Sequence, residues 1–246
     1  MEKKPLLGVL GGLGPMSTFY FCELLTSHTS VRRDSDHIDM IISSRASTPD
    51  RTAFILGKSA DDPLPVMRRE AARLVSAGAD LIVIPCNTAH YFYQGLAAHV
   101  AVPMLNIIEE TVLHLKRRGV TTMGLLATEG TVRSGAYEKI CRAHGMSCLS
   151  PTESRQAAIS SLIYDDIKQN RPADTARLLE IARHLRARGC EQIVLGCTEL
   201  SLLKPTLPRD EGFVDSLEVL AYRTILACRK TPIGFEPSFL EGEATR

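Results

Sequence analysis

The sequence predicts a two-lobed α/β protein with parallel sheets, and two observations carry that prediction. Short β-branched apolar runs, each closed by a breaker, alternate with helix-like spacing along the 246 residues. Landmarks of the first half also recur in the second. Gly8 and Gly124, Gly78 and Gly189, Cys86 and Cys197, and Leu105 and Val214 stand roughly 110 residues apart, a period suited to two similar lobes rather than a solenoid. The lobes are expected at 1–106 plus 216–246 and at 107–215, related by pseudo-twofold symmetry with the active site in the cleft between them.

Taken in order, Leu6 to Leu10 is an apolar run closed by Gly11-Gly12-Leu13-Gly14-Pro15, and Ser17 to Ser27 carries Phe19, Cys22 and Leu25 at helical spacing. Ile38 to Ser43 reads as a second strand, followed by a polar loop to Arg51 and a helix over Pro65 to Ala77 that Gly78 stops. Leu81 to Pro85 is the third strand and Pro103 to Ile108 the fourth, with a helix from Glu109 to Arg118 ended by Gly119. The pattern then restarts. Met123 to Leu126, Ser147 to Leu149 and Ile193 to Leu195 read as strands, and Thr175 to Arg188 as a helix. A last helix, Ser216 to Cys228, is left over to pack back on the first lobe.

Composition narrows the class. A hydrophobic content of 44%, 23% charged residues and a formal net charge of +1 give no general attraction for nucleic acid or an anionic membrane. No apolar stretch approaches the ~18 residues needed to cross a bilayer. Met1-Glu2-Lys3-Lys4 leads into the first strand rather than a signal peptide, so a cytoplasmic protein is expected. The seven cysteines are odd in number and scattered, which suits free thiols. Cys141, Cys148, Cys190 and Cys228 read as small buried hydrophobes.

Cys86 and Cys197 differ from these. Ile82-Val83-Ile84-Pro85-Cys86-Asn87-Thr88 and Ile193-Val194-Leu195-Gly196-Cys197-Thr198 each place a thiol just past a buried parallel strand, where open α/β sheets keep their chemistry. Thr88 and Thr198 are expected to cap helices whose amides and partial positive charge favour a thiolate. Two such thiols in register predict an acid/base pair. Racemisation beside a carboxylate needs a base on one face and an acid on the other. Thiols, with a pKa of about 8.5 lowered toward neutrality, could hold one of each form.

Other readings stay open from the residues alone. The turn at Gly11 to Gly14 lacks the third glycine of a dinucleotide fingerprint and no phosphate-cradling Gly-Lys-Ser/Thr is present, leaving either a tight turn or an anion-binding helix start. Cys86, His90, Cys197 and Glu199 make only a weak zinc set, and no metal is expected. A hydrolase with His90 as base would leave one cysteine unused.

Leu10-Gly11-Gly12-Leu13-Gly14-Pro15, Thr48-Pro49-Asp50-Arg51-Thr52-Ala53, Pro85-Cys86-Asn87-Thr88-Ala89-His90, Leu126-Ala127-Thr128-Glu129-Gly130-Thr131 and Leu195-Gly196-Cys197-Thr198-Glu199-Leu200 together resemble the aspartate/glutamate racemase family over essentially the whole chain. The resemblance implies two flavodoxin-like lobes, racemisation without a cofactor, and commonly a homodimer. It implies Cys197 facing the α-hydrogen of the L-enantiomer and Cys86 that of the D-enantiomer. Arg51 and Lys168 would bind the carboxylates of an acidic amino acid. Asn87, Thr88, Thr128, Thr131 and Thr198 would line the substrate, and Gly12, Gly14 and Met16 would add loop contacts. The Asp-Ser-Gly signature of cell-wall glutamate racemases is missing at the first strand tip, which points to the aspartate or broad-specificity branch. Arg45 is a second cation that could compete for the distal carboxylate. A dicarboxylate isomerase or lyase, and a carboxylate-binding protein without turnover, are the alternatives.

Overall fold

Two wholly parallel sheets organise the chain, and the computed structural model describes residues 4–208 and 211–242 of it. Met1 to Lys3, read above as leading into the first strand, lie outside the described residues. In the first lobe β1 (Leu7–Gly11), β2 (Met40–Ser44) and β3 (Leu81–Val83) take the order β2-β1-β3, with Leu7 opposite Met40 and Leu81. In the second, β4 (Thr122–Leu126), β5 (Ser147–Leu149), β6 (Gln192–Leu195) and β7 (Phe213–Asp215) take the order β5-β4-β6-β7, with Gly124 opposite Leu149 and Ile193. The two lobes therefore repeat one topology.

The repeat breaks at the fourth strand of the first lobe. The strand expected over Pro103 to Ile108 is a single parallel bridge between Ile82 and Met104. Helix begins inside that stretch: the Asn106 side chain accepts from Ile108 N (3.0 Å) and Glu109 N (3.3 Å), a cap that starts the helix Ile107–Arg117 earlier than the apolar spacing indicates.

Alternation along the strands sorts side chains into three apolar layers. Leu7 and Val9 of β1, Leu81 and Val83 of β3, Met123 and Leu125 of β4 and Val194 of β6 all face one central layer. Helices Pro15–Ser27, Ile107–Arg117, Ala136–Ala143 and Ser216–Ala227 fill it with Phe21, Val112, Leu115, Tyr137, Leu220 and Ile225. The opposite faces are covered lobe by lobe. Leu10 and Ile82 pack under helix Leu64–Ser76, and Ile193 and Leu195 under helices Glu153–Ser161 and Thr175–Ala187. Helix Ser216–Ala227 packs on both Pro15–Ser27 and Ile107–Arg117. No helix among the described residues is long and apolar enough to cross a membrane.

Asp215, the last residue of β7, ties the start of that closing helix. Its Oδ1 accepts from Leu217 N (2.8 Å) and Ser201 Oγ (2.6 Å), while Oδ2 is buried with no hydrogen-bond partner among the described residues. Burial, reinforced by Glu218 and only partly offset by Lys204 and those two bonds, pushes its carboxyl up to about 7. An unfolded Asp titrates near ~3.9. The folded chain thus keeps a proton that the unfolded chain loses as pH rises through that window, and stability falls across it. Asp215→Asn, which caps without titrating, should gain stability relative to the wild type from about pH 4 to about pH 7 and hold a constant difference above. Urea denaturation of both chains across this range checks it; a difference that does not vary with pH is the contrary result.

Candidate active site

Cys86 follows β3 and Cys197 follows β6, so equivalent strand tips of the two lobes each carry a thiol. Both thiols are buried and line one nearly closed cavity of about 10 Å³, together with Arg51, Asn87, Thr88, Thr128, Lys168 and Thr198. Polar contacts between the lobes seal it. Thr198 Oγ1 donates to Pro85 O (3.3 Å), linking the two cysteine sockets. Thr88 Oγ1 lies 2.9 Å from both Thr128 Oγ1 and Thr131 Oγ1, which are themselves 3.0 Å apart. Asn87 donates to Ser216 Oγ (2.9 Å) and accepts from Tyr137 OH (2.7 Å), so both ends of its amide are held, the oxygen from the other lobe.

The threonines expected to cap helices behind the thiols do not do so. A 3-10 turn, Thr88–Phe92, follows Cys86, and a four-residue helix, Thr198–Ser201, follows Cys197; neither has a side-chain cap. Thr88 and Thr198 spend their hydroxyls across the cleft instead. With so little helix behind them, the thiols are not lowered toward neutrality. Burial pushes the Cys86 thiol up, opposed by Arg51, Lys168 and the Ala89 amide, with Glu199 adding to the rise. Burial and then the Glu199 carboxylate push Cys197 well above the ordinary thiol value, with Lys168 opposing. The pair is therefore asymmetric, and Cys86 is the thiol with the cationic surroundings.

Glu199 is the source of that asymmetry. Cys197 Sγ donates to its Oε2 (3.0 Å), and its Oε1 is buried, 3.7 Å from Lys168 Nζ, with no hydrogen-bond partner among the described residues. Gly14 makes room for it, since a Cβ there would stand 2.5 Å from Glu199 Oε1. Burial alone would lower the Lys168 ammonium, but Glu199, Tyr164 and the two thiols outweigh it and its pKa is raised. Arg51 is committed mainly to backbone. Its Nη1 donates to Thr48 O (3.2 Å) and Pro49 O (3.0 Å) and its Nη2 to Leu13 O (2.7 Å), leaving Nε buried without a partner among the described residues. Arg45 does not compete for the site. It is half exposed, 4.0 Å from Glu70, and lines neither the cavity nor its flanks.

Gly12, Gly14 and Met16 do not line the inner cavity. They border an outer cleft of about 490 Å³ that shares Asp50, Arg51, Lys168 and Glu199 with it, and Met16 is 59% exposed. Gly12 has φ +81°, and a Cβ there would meet Arg45 N at 2.3 Å, so only glycine fits that turn. Leu13, Asp50, Thr52 and Tyr164 also line the inner cavity. Sequence signals for three of them existed: Asp50 and Thr52 flank Arg51, and Tyr164 precedes Lys168 by one helical turn. Glu199, weighed from the sequence only as a metal ligand, is the carboxylate partner of Cys197.

His90 is neither base nor ligand. Its Nδ1–H donates to Cys86 O (2.8 Å) and its Nε2 accepts from Ile107 N (3.2 Å), so both ring nitrogens are occupied. Burial depresses its pKa to about 4, against the opposing pull of the Cys86 and Leu105 backbone. It fixes the Cys86 backbone to the start of the next helix. Replacing His90 with Leu should strand two buried backbone groups and cost about 2–4 kcal/mol of stability. Chemical denaturation measures this, and unchanged stability would contradict the assignment.

Comparison with known proteins agrees with this geometry. The broad specificity amino-acid racemase RacX of Bacillus subtilis strain 168 is 27% identical over 226 residues, covering 89% of this chain and 96% of that protein. The Picrophilus torridus aspartate racemase structure superposes with a TM-score of 0.82 at 26% identity, covering 98% of this chain and 100% of that one. A glutamate racemase of Francisella tularensis subsp. tularensis SCHU S4, solved with D-glutamate, shares the fold at a TM-score of 0.63 and 17% identity, covering 96% and 86%. Residues 10–224 match the Asp/Glu/hydantoin racemase family, and the chain belongs to it.

Proposed function

We propose that the chain interconverts the L and D forms of an acidic amino acid, aspartate first, by two-base proton transfer at Cα between Cys86 and Cys197. The observation that carries this reading is the pair of equivalent thiols, one per lobe, lining one closed cavity. A hydrolase would use only one of them, and His90, which both the hydrolase and the zinc set would need, is already occupied.

The cavity holds about one water molecule, so the loops that cover it, at the cleft between lobes divided near residues 106 and 215, open to admit substrate and close over it. Closure excludes water, which strengthens every charge interaction inside. An α-proton beside a carboxylate is very weakly acidic, and its removal depends on donors that take up the developing charge. Arg51 Nε, the Asn87 amide and the hydroxyls of Thr88, Thr128, Thr131 and Thr198 are those donors. Glu199 Oε1 accepts from the α-ammonium, and Lys168 is shared between Glu199 and the distal carboxylate. Gly12, Gly14 and Met16 border the approach.

Because burial opposes both thiolates, ionisation is tied to the charge the substrate brings. Cys86, beside Arg51 and Lys168, ionises first. Its thiolate removes the α-proton of the D form while Cys197 S–H delivers a proton to the opposite face. In the reverse direction the Cys197 thiolate removes the α-proton of the L form while Cys86 S–H delivers a proton to the opposite face. The same reading has the protein acting in the cytoplasm as a homodimer, and sedimentation of the purified chain tests the assembly.

Cys86→Ser and Cys197→Ser should each lower racemisation of aspartate by about 10²–10⁴-fold. Deuterium uptake at Cα from heavy water, read for each enantiomer, measures this, and full activity in both variants would sink the two-base assignment. Glu199→Gln removes the carboxylate that holds the Cys197 thiol up. The acidic limb of kcat/KM should therefore move to lower pH, and by the same amount in both directions, because the enantiomers are isoenergetic and the ratio of the two kcat/KM values is fixed at one. A pH profile of the variant against the wild type checks it; an unmoved limb would show that the Cys197 thiolate is not required.

A further inference from the structure

A groove of about 810 Å³ lies between the lobes on the far side of the catalytic cavity from the outer cleft. Asp50, Thr52 and Tyr164 line both the groove and the cavity, so they form the partition between them. Asp50 and Thr52 come from the first lobe and are short. Only Tyr164, from the second, has the size to close the opening. Lys168 Nζ stands 4.4 Å from the ring centroid, a cation against its face. Tyr164 is carried on a π-helical turn, Leu162–Asp166, whose wider pitch turns the side chain out of the regular helical series.

The space behind the ring has its own chemistry. Small residues, Ala53, Ala157 and Ser160, leave it open. Asp50, Glu129, Glu153 and Asp165 outnumber the cations Lys58 and Arg133, and Lys58 is already 3.7 Å from Glu129. Gln156, 9% exposed, lines the groove with its Nε2 donated to Ala127 O (2.9 Å) and its Oε1 buried without a partner among the described residues. That is an acceptor waiting for a donor in an otherwise acidic space.

Resting on the racemase reading above, we propose that Tyr164 sets the length of side chain this enzyme accepts, by closing the catalytic cavity off from a groove suited to a longer, cationic side chain. With the ring in place the substrate side chain ends at Thr52 and Lys168, which favours short amino acids. Without it, the side chain of lysine or arginine can run past Thr52 toward Gln156 and the groove carboxylates.

The test compares kcat/KM for aspartate and serine with that for lysine and arginine in the wild type, Tyr164→Ala and Tyr164→Phe. The wild type should prefer the short substrates by about tenfold or more. Tyr164→Ala should raise the long-to-short ratio by about tenfold, chiefly through KM, while Tyr164→Phe, which keeps the ring, should keep the wild-type ratio. If the alanine variant does not fold, Tyr164→Leu replaces it. A ratio unmoved by removing the ring, a wild type equally fast on lysine, or a ring-less variant inactive on every substrate would each overturn the proposal. Wild-type enzyme that exchanges no Cα proton with any amino acid would overturn the racemase reading and this inference with it. Exchange with an unmoved ratio would overturn only the role of Tyr164.

Discussion

The apolar layer between the two sheets is built from both halves of the chain, and everything at the site depends on it. Each sheet must cover one face, and the same four helices cover both, so neither sheet can shift without uncovering the other. Strand tips held this way meet closely enough for Thr198 to reach the carbonyl of Pro85 and for three threonine hydroxyls from two lobes to bond one another. Opening for substrate must therefore happen above that layer. The segments available there are the loops around Leu13 and Thr48 and the irregular stretch that carries Tyr164 and Lys168.

Removal of water from the cleft has opposite effects on the two tasks there. It makes donors aimed at a developing charge more effective, and it opposes ionisation of the two thiols proposed as bases. The structure answers with unequal surroundings: cations beside Cys86, a carboxylate beside Cys197. Chemically identical side chains on symmetric scaffolds thus do not have identical chemistry. A zwitterion entering such a site alters the balance it meets, which couples binding to the ionisation the reaction requires.

How much was legible in the sequence depended on the range of the interaction. The strand–breaker–cysteine sockets could be read because strand, breaker and thiol are neighbours in the chain, and the shared strand order of the lobes followed from their repetition. The fourth strand of the first lobe is shorter than its apolar run suggests because the Asn106 cap starts a helix inside that run. The thiol environment was misjudged for a related reason: residue type suggested helix caps at Thr88 and Thr198, but their hydroxyls found partners about 40 and 113 residues away in sequence. The bond from Arg51 to the Leu13 carbonyl is a meeting of segments 38 residues apart that no periodicity encodes.

The Arg51 guanidinium gives such meetings a thermodynamic meaning. By holding the carbonyls of Leu13, Thr48 and Pro49 it orders two separate loops before any ligand arrives. The entropy lost in ordering them is then part of the folding free energy and no longer weakens association. An affinity for a small, highly solvated amino acid, which offers few contacts of its own, is in this way supported by a side chain that spends three of its five N–H groups on the protein itself.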